Sequence, residues 1–394
     1  MKYSNREFTP AAQRAAQPQT PTETRPTGVK QVALTAMIGM AFTIASLSPA
    51  IAAVDNDNPM RPILPGIVVA STVPANGDVN PYGVTFVPNG FPAGGPLNPG
   101  DILVSNFNNN QNLQGTGTTI VKISPAGQQS LFFQGPAGLG LSTALKILRS
   151  GFVLVGNVPT TDGTFATIRQ GSILILNKNG AVVGTLSDST LLDGPWDMEA
   201  IDNGNTAILF VSNVLNGTVT RLNLIISGGS PAMFVQSATQ IASGYLHRGD
   251  PAALAIGPTG LAYDSTTDTL FVASTGDNMV FAISNATKAS HTAGMGRVVY
   301  RDNTHLHGPL GLKLGPNGHL FTTNSDVINS DPNQPSEIVE FTQSGVFLNQ
   351  LSVDKAQGGS FGIAVSPNVS QDTIRVAAVD DVASTLTIWT LRIE

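Results

Sequence analysis

The residues best suited to chemistry lie together in one short segment, which reads DGPWDMEA from Asp193 to Ala200. Two of them, Asp197 and Glu199, are our candidates for a general base or for ligands of a metal ion. A carboxylate between apolar neighbours is costly unless it is paired with a cation or bound to a metal. The alternative is that both are solvated acids of a water-filled channel.

Asparagine side chains form a second candidate group, because Asn ends four short apolar runs: Asn106, Asn157, Asn213 and Asn324. Ser274 and Ala378 take the corresponding place in two further runs. Several amide oxygens that converge would suit Ca²⁺, which prefers oxygen ligands. The alternative is that each Asn binds the backbone of the turn that follows it.

Histidines form the third group. His247 lies in the segment HRGD, and His305 and His307 lie in HLHG. Imidazoles titrate near neutral pH, so His247 and His307 are candidates for acid–base catalysis if the fold brings them together. The alternative is that they are loop histidines with no chemical role.

The elements that must position these groups are repeated. The runs ILVSN, VLVGN, LFVSN, LFVAS, LFTTN and IRVAA end at 106, 157, 213, 274, 324 and 378, so they are 51, 56, 61, 50 and 54 residues apart. A turn and an apolar run precede each copy, and one or two alternating runs follow most of them. This pattern predicts an all-β fold, a six-bladed β-propeller with four antiparallel strands per blade. The last unit lacks a fourth strand, and residues 66–71 are predicted to supply it and close the ring.

In such a fold, the loops that enter the first strand and those that join the second to the third open on the same face. Three of the latter are long, over residues 106–118, 157–171 and 324–336. Long ordered loops usually carry function. We therefore expect a small molecule or a protein partner to bind this loop-rich face, through Tyr82, Asn106, Trp196 and Asn324.

Composition narrows the possible functions. The net charge is −6, and no stripe of Lys or Arg suggests nucleic-acid binding. With no cysteine, thiolate metal sites and a Cys nucleophile are excluded. A G-x-S-x-G elbow, a P-loop and an H-E-x-x-H motif are also absent from the sequence. We expect a monomer.

The first 52 residues are interpreted as an extended N-region with a signal peptide. An apolar run over 32–47 follows Lys30, and Ala50-Ile51-Ala52 is a small-x-small cleavage site. The run is short for a membrane-spanning helix. We therefore predict cleavage after Ala52, a secreted or periplasmic chain with no stable membrane span, a linker over 53–65 and a propeller domain over 66–394.

Units such as GPTGLAYDSTTDTLFVAS and GPLGLKLGPNGHLFTTN resemble NHL repeats and the blades of SMP-30/gluconolactonase propellers. The resemblance covers about residues 80–380. It implies a Ca²⁺ ion at the channel mouth, with Asn157, Asn213 and Glu199, together with Asp197, as its ligands. His307-Gly308 is similar to a blade entry of streptogramin lyases. Two functions follow: a non-catalytic propeller that binds a ligand or partner, or a calcium-dependent lactonase-like hydrolase or lyase.

Overall fold

The structure is a computed structural model that describes residues 58–392 except 228, 230–231, 336 and 367–371, without the side chains of 63–65 and 142–143. The predicted signal peptide lies outside the described residues. Within them, no helix is long and apolar enough to cross a membrane.

The described residues form six four-stranded antiparallel sheets and one two-stranded hairpin. The first three sheets, or blades, contain β2 (Val79–Phe86), β3 (Ile102–Asn108), β4 (Thr119–Ile123) and β5 (Gln129–Gln134); β6 (Leu141–Ile147), β7 (Val153–Asn157), β8 (Ser172–Leu176) and β9 (Val182–Leu186); β10 (Pro195–Asp202), β11 (Thr206–Asn213), β12 (Thr218–Ile226) and β13 (Met233–Ser243).

The hairpin β14 (Arg248–Asp250) and β15 (Leu254–Ile256) comes before the fourth blade. The remaining blades contain β16 (Pro258–Asp264), β17 (Thr269–Ser274), β18 (Met279–Ser284) and β19 (Arg297–Tyr300); β20 (Pro309–Leu314), β21 (Leu320–Asn324), β22 (Glu337–Phe341) and β23 (Phe347–Ser352); β24 (Ser360–Val365), β25 (Thr373–Asp380), β26 (Thr385–Arg392) and β1 (Arg61–Ser71).

The sheets form a closed ring, because the innermost strand of each blade contacts that of the next, and β24 of the last blade contacts β2 of the first. The strand β1 pairs antiparallel with β26, with Val68 opposite Ile388. The six-bladed propeller and its closure by an early strand are therefore confirmed. The closing strand begins at Arg61 rather than at residue 66.

The core lies between the blades. Each central strand is apolar on both faces, and its side chains pack into clusters shared with the neighbouring blade; for example, Leu154 and Leu209 lie in one cluster between the second and third blades. Strands buried on both faces read as continuous apolar runs rather than as alternating ones. This explains why the central strands gave the clearest signal in the sequence.

The innermost strands approach one another so closely that most carry glycine at one position. A Cβ atom on Gly311 would lie 2.7 Å from the carbonyl oxygen of Phe361, and one on Gly362 would collide with the carbonyl oxygen of Tyr82. Asp197 takes the equivalent position in the third blade, since it precedes Met198 as Gly311 precedes Leu312.

Strand pairing aligns the innermost strands of the blades and corrects one prediction. Met198 pairs with Val211, two residues before Asn213, and the aliphatic residues Val84, Leu261, Leu312 and Ile363 pair at the equivalent position of their blades. Met198, and not Glu199, therefore matches these aliphatic residues. In the sixth blade, Asp380 rather than Ala378 takes the place of the asparagines, because it pairs with Ser360 as Asn324 pairs with Pro309.

Candidate functional site

The channel is plugged by apolar side chains just below the loop-rich face. The ring of Tyr82 lies 4.7 Å from that of Phe361, 5.3 Å from that of Phe107 and 5.9 Å from that of Trp196, between centroids. Leu310 completes this cluster. The plug separates the channel into an upper cleft and a lower charged section.

The lower section holds a charged network that includes both predicted catalytic acids. Glu199, Lys146 and Lys313 occupy the same position of their innermost strands and therefore lie at one level. Glu199 forms ion pairs with Lys146 and, at 3.6 Å, with Lys313. The Lys313 Nζ atom lies 3.5 Å from Asp197 Oδ2, which also accepts the Leu261 amide at 3.0 Å.

These contacts set the ionisation of the network. Burial raises the pKa of Glu199, but the charges of Lys146 and Lys313 outweigh it, and the pKa lies below its usual value. Burial also raises the pKa of Asp197, and here the single lysine does not fully offset it. Burial lowers the pKa of Lys313, but its two carboxylates raise it further. The negative charges of Asp197 and Glu199 are thus balanced by the ammonium groups of Lys146 and Lys313.

The four predicted asparagines bind backbone and hydroxyl groups. Asn213 Nδ2 donates to the Leu191 carbonyl and its Oδ1 accepts the Asp193 amide. Asn157 donates to the Leu139 carbonyl, Asn324 to that of His305, and Asn106 to that of Thr72. Each side chain therefore ties the end of a second strand to a segment that precedes it in the chain, rather than to the backbone of the following turn as the simpler interpretation states.

The histidines do not converge in the described residues. His247 is exposed, and its Nδ1 lies 2.9 Å from the Tyr245 carbonyl. His305 pairs with Asp302 and stacks on Phe347. His307 is buried, and its two ring nitrogens contact the carbonyl oxygens of Asn329 and Thr304. Within the described residues, no hydrogen bond or ion pair joins His247 to His307.

The calcium ligands implied by the resemblance do not form a cation site. Asp197 and Glu199 already face lysine ammonium groups, while Asn157 and Asn213 are hydrogen-bonded within their own blades. Ca²⁺ needs several oxygen atoms at 2.3–2.6 Å without competing cations. Across the described residues, no group of three or more His, Asp or Glu side chains is arranged to hold a metal.

A cleft of about 240 Å³ opens above the plug on the loop-rich face. Its floor is apolar and consists of Tyr82, Phe107, Leu310 and Phe361. We call this the channel-mouth cleft. Of the predicted ligand-binding residues, Tyr82 lines it, whereas Trp196 lies in the plug and Asn106 and Asn324 are fully buried in their blades.

The hairpin β14–β15 forms one wall of the cleft through Ala252, Ala253, Ala255 and Ile256. Leu254, at the turn, has a positive φ of 62° and inserts its buried side chain into the plug cluster. A branched residue adopts this backbone conformation only when packing compensates for the strain. The side chain of Gln114 donates to the Ala252 carbonyl at 2.9 Å, which ties the hairpin to the long loop of the first blade.

The opposite wall carries Asp326, Asp381 and Asn80. Four oxygens, namely Asn80 Oδ1, both carboxylate oxygens of Asp326 and Asp381 Oδ1, are buried and form no hydrogen bond of normal geometry within the described residues. Burial and the neighbouring Asp380 raise the pKa of Asp381 to about 7. Burial also raises the pKa of Asp326, and the nearby Asp331 and Gly358 amides only partly offset this.

A second layer of acids lies behind this wall. Glu337 is fully buried, its two oxygens form no hydrogen bond in the described part of the chain, and burial together with Asp326 raises its pKa to about 7. Burial raises the pKa of Asp380 to about 6, and the carboxyl of Asp354 adds to the effect. This side of the cleft is therefore rich in buried acidic groups.

The other end of the channel opens into a cavity of about 440 Å³ lined by Lys146, Lys313, Arg149 and Asp202. Its charges are already matched, since Arg149 binds Asp202 and the lysines bind the acids above. Among the described residues that line it, none has a buried polar side-chain atom without a hydrogen bond, in contrast to the channel-mouth cleft.

The two acids of the cleft, Asp326 and Asp381, are not among the site residues predicted from the sequence. Asp326 follows Asn324 by two residues, and Asp381 directly follows Asp380, so both lie just beyond the end of a second strand. The signal was available in the sequence, because these positions are where the loop-rich face begins. The hairpin wall gave no such signal, since its strands are only three residues long.

Comparison with known proteins supports the fold. A gluconolactonase from Xanthomonas campestris is similar at a TM-score of 0.53 and 11% identity, over 85% of this chain and 97% of that one. A regucalcin from Agrobacterium tumefaciens, described as a calcium-binding protein, is similar at a TM-score of 0.50 and 12% identity, over 82% of this chain and 95% of that one. No family model and no curated protein matches the sequence. The resemblance to SMP-30/gluconolactonase-like propellers is therefore confirmed as one of fold.

Proposed function

We propose that this protein is a binding propeller whose channel-mouth cleft holds a small molecule. The observation that carries the proposal is the combination, in one cleft, of an apolar aromatic floor with buried acceptor oxygens that form no hydrogen bond of good geometry within the described residues. Small-molecule sites are typically concave and mostly apolar, with a few convergent polar groups. A ligand that donates hydrogen bonds would satisfy oxygens that are otherwise costly to bury.

A cleft-filling substitution tests this proposal. Ala253 is half-buried in the hairpin wall, so Ala253→Trp places an indole in the cleft without disturbing the blades. Leu131→Trp, at an exposed position of the first blade, is the matched control. A library of small fragments is screened by ligand-observed NMR. We expect fragments that bind the wild type and the control but not Ala253→Trp; hits unaffected by Ala253→Trp would contradict the proposal.

A hydrolase is the second candidate, and one observation favours it. Asp381 lines the cleft with a pKa raised to about 7, which suits a general base at neutral pH. The gluconolactonase that shares the fold makes lactones the first substrates to assay. Asp381→Asn should abolish lactone hydrolysis while Asp162→Asn, an exposed acid on the long loop of the second blade, should not. Equal activity of Asp381→Asn and the wild type would remove this candidate.

We further propose that the chain is exported, as the apolar run over 32–47 and the sequence Ala50-Ile51-Ala52 indicate. N-terminal sequencing of the protein recovered from its native host should then begin at Ala53. A mature chain that retains residues 1–52 would contradict export by this signal.

A protein partner on the loop-rich face is the alternative to a small ligand. This alternative is supported if no small molecule binds the cleft and the only interactions found are with proteins.

A further inference from the structure

We propose that the ligand of the channel-mouth cleft is a small organic cation, an amine or quaternary ammonium compound with an apolar body. This inference rests on the proposed small-molecule function and adds the chemical class of the ligand. It is carried by three features of the cleft: the type of its unsatisfied atoms, its charge and its aromatic floor.

The unsatisfied polar atoms are all acceptors. They are oxygens of Asn80, Asp326 and Asp381, and in the described structure none of them accepts a hydrogen bond of good geometry. The amides of Asp331 and Gly358 lie near Asp326, and that of Val382 near Asp381, but they only partly satisfy these carboxylates. The side-chain amide of Gln114, a donor that lines the cleft, is already bound to the Ala252 carbonyl. A ligand that brings donors or positive charge therefore satisfies this wall, whereas a carboxylate or phosphate adds further acceptors.

The charge of the residues that line the cleft also favours a cationic ligand. Of the described residues that line it, Asp326 and Asp381 are the ionisable ones besides the buried phenol of Tyr82, and none is Lys, Arg or His. Asp380, Asp354 and Glu337 lie behind the same wall. The buried His307 is the basic group that faces these acids from the fifth blade. A cleft lined by one sign of charge concentrates ligands of the opposite sign.

The floor suits the apolar part of a cation. Tyr82, Phe107 and Phe361 present aromatic rings, and the negative face of an aromatic ring attracts ammonium groups. Burial raises the pKa of the Tyr82 phenol, so it stays neutral and donates or accepts without adding charge. Carboxylates on one wall and rings on the floor would hold the charge and the body of the same ligand.

Three probes that share a phenyl ring test the inference: benzyltrimethylammonium, benzyl alcohol and benzoate. Each is titrated into the wild type by isothermal calorimetry at pH 8, above the pKa of about 7 to which burial raises Asp381. We expect the cation to bind at least tenfold more tightly than the alcohol, and benzoate not to bind. Asp326→Asn and Asp381→Asn keep the side-chain shape. Each should lower the affinity for the cation at least tenfold and leave the affinity for benzyl alcohol unchanged. Asp162→Asn is the control acid on the same face.

The outcomes separate this inference from the function on which it rests. If benzyl alcohol binds as tightly as the cation and Ala253→Trp abolishes both, the cleft binds small molecules and the cation inference is wrong. If the cation binds but neither Asp→Asn variant weakens it, the inference is also wrong. If fragments never bind in a manner sensitive to Ala253→Trp, the proposed function itself fails. A variant that does not fold leaves the decision to the wild-type probe series.

Discussion

At the scale of single residues, Lys313 decides whether the acids of the channel are structural. It lies between Asp197 and Glu199, and these side chains are mostly buried. Lys313→Met should leave Asp197 without its cation and destabilise the fold by about 2 kcal/mol, since breaking a buried pair costs ~3–5 kcal/mol and these groups retain some exposure. Urea denaturation at pH 7 measures the loss.

Lys288→Met is the control for this prediction, because Lys288 is exposed and such substitutions usually change stability by less than about 0.5 kcal/mol. If Lys313→Met proves as stable as this control, the acids are solvated channel groups, as the alternative interpretation of the sequence states.

A second prediction concerns Glu337, whose pKa is raised to about 7 by burial and by Asp326. A carboxyl with a raised pKa binds its proton more tightly in the folded state, so its contribution to stability is greatest in acid. That contribution falls as the pH rises from its unfolded pKa of about 4.3 towards 7. Glu337→Gln should therefore lose less stability than the wild type between pH 4.5 and 8, by up to about 3 kcal/mol.

Chemical denaturation of both proteins at a series of pH values tests the prediction for Glu337. Asp372→Asn, at an exposed position just before β25, serves for comparison. Parallel pH profiles for the wild type and Glu337→Gln would show that Glu337 titrates as an ordinary surface acid.

At the residue level, the sequence draws attention to the acidic segment of the third blade, but the acids do not by themselves align its residues with those of the other blades. The segment from Asp193 to Glu199 does hold the acids of the channel, but Met198 aligns with the aliphatic positions of the other blades. The dipeptide Gly194-Pro195, matched to Gly257-Pro258, gives the correct alignment. That the acids face lysines could not be read from the sequence, because Lys146 and Lys313 come from other blades.

At the scale of elements, β1 is predicted to be essential although it is remote in sequence from its partner. It is the outer strand of the sixth blade and pairs with β26, so its removal leaves that strand as an open edge. Unpaired edges promote aggregation. A chain that begins at Thr72 should elute as aggregates and lose cooperative unfolding, whereas one that begins at Asn58 should behave as the mature protein. A well-behaved monomer beginning at Thr72 would contradict this role.

Elements with a buried, regular pattern were predictable, and others were not. The central strands were found because both faces are buried. The outer strand β13 gives no clear signal in the sequence, because only three of its eleven residues are buried and many are polar. The hairpin β14–β15 gives no strand signal in the sequence, because its shape depends on Leu254 packing into the plug, a contact with residues far away in the chain.

At the scale of the whole molecule, the closed ring creates two different faces. One carries the long loops and the channel-mouth cleft, and the other carries the charge-matched cavity near Arg149. The plug around Trp196 separates them, so a ligand bound in the cleft does not reach the charged network below. The fold could be predicted from repeats alone, but the site could not, because its walls come from the first, fourth, fifth and sixth blades and the hairpin.

The most direct test of this account is a crystal structure of the protein soaked with benzyltrimethylammonium. We predict that the ammonium group lies against Asp326 and Asp381 and that the phenyl ring lies on the floor formed by Tyr82 and Phe361. Binding in the cavity near Arg149 at the opposite end of the channel, or a cleft left empty at a saturating concentration of the probe, would contradict the account.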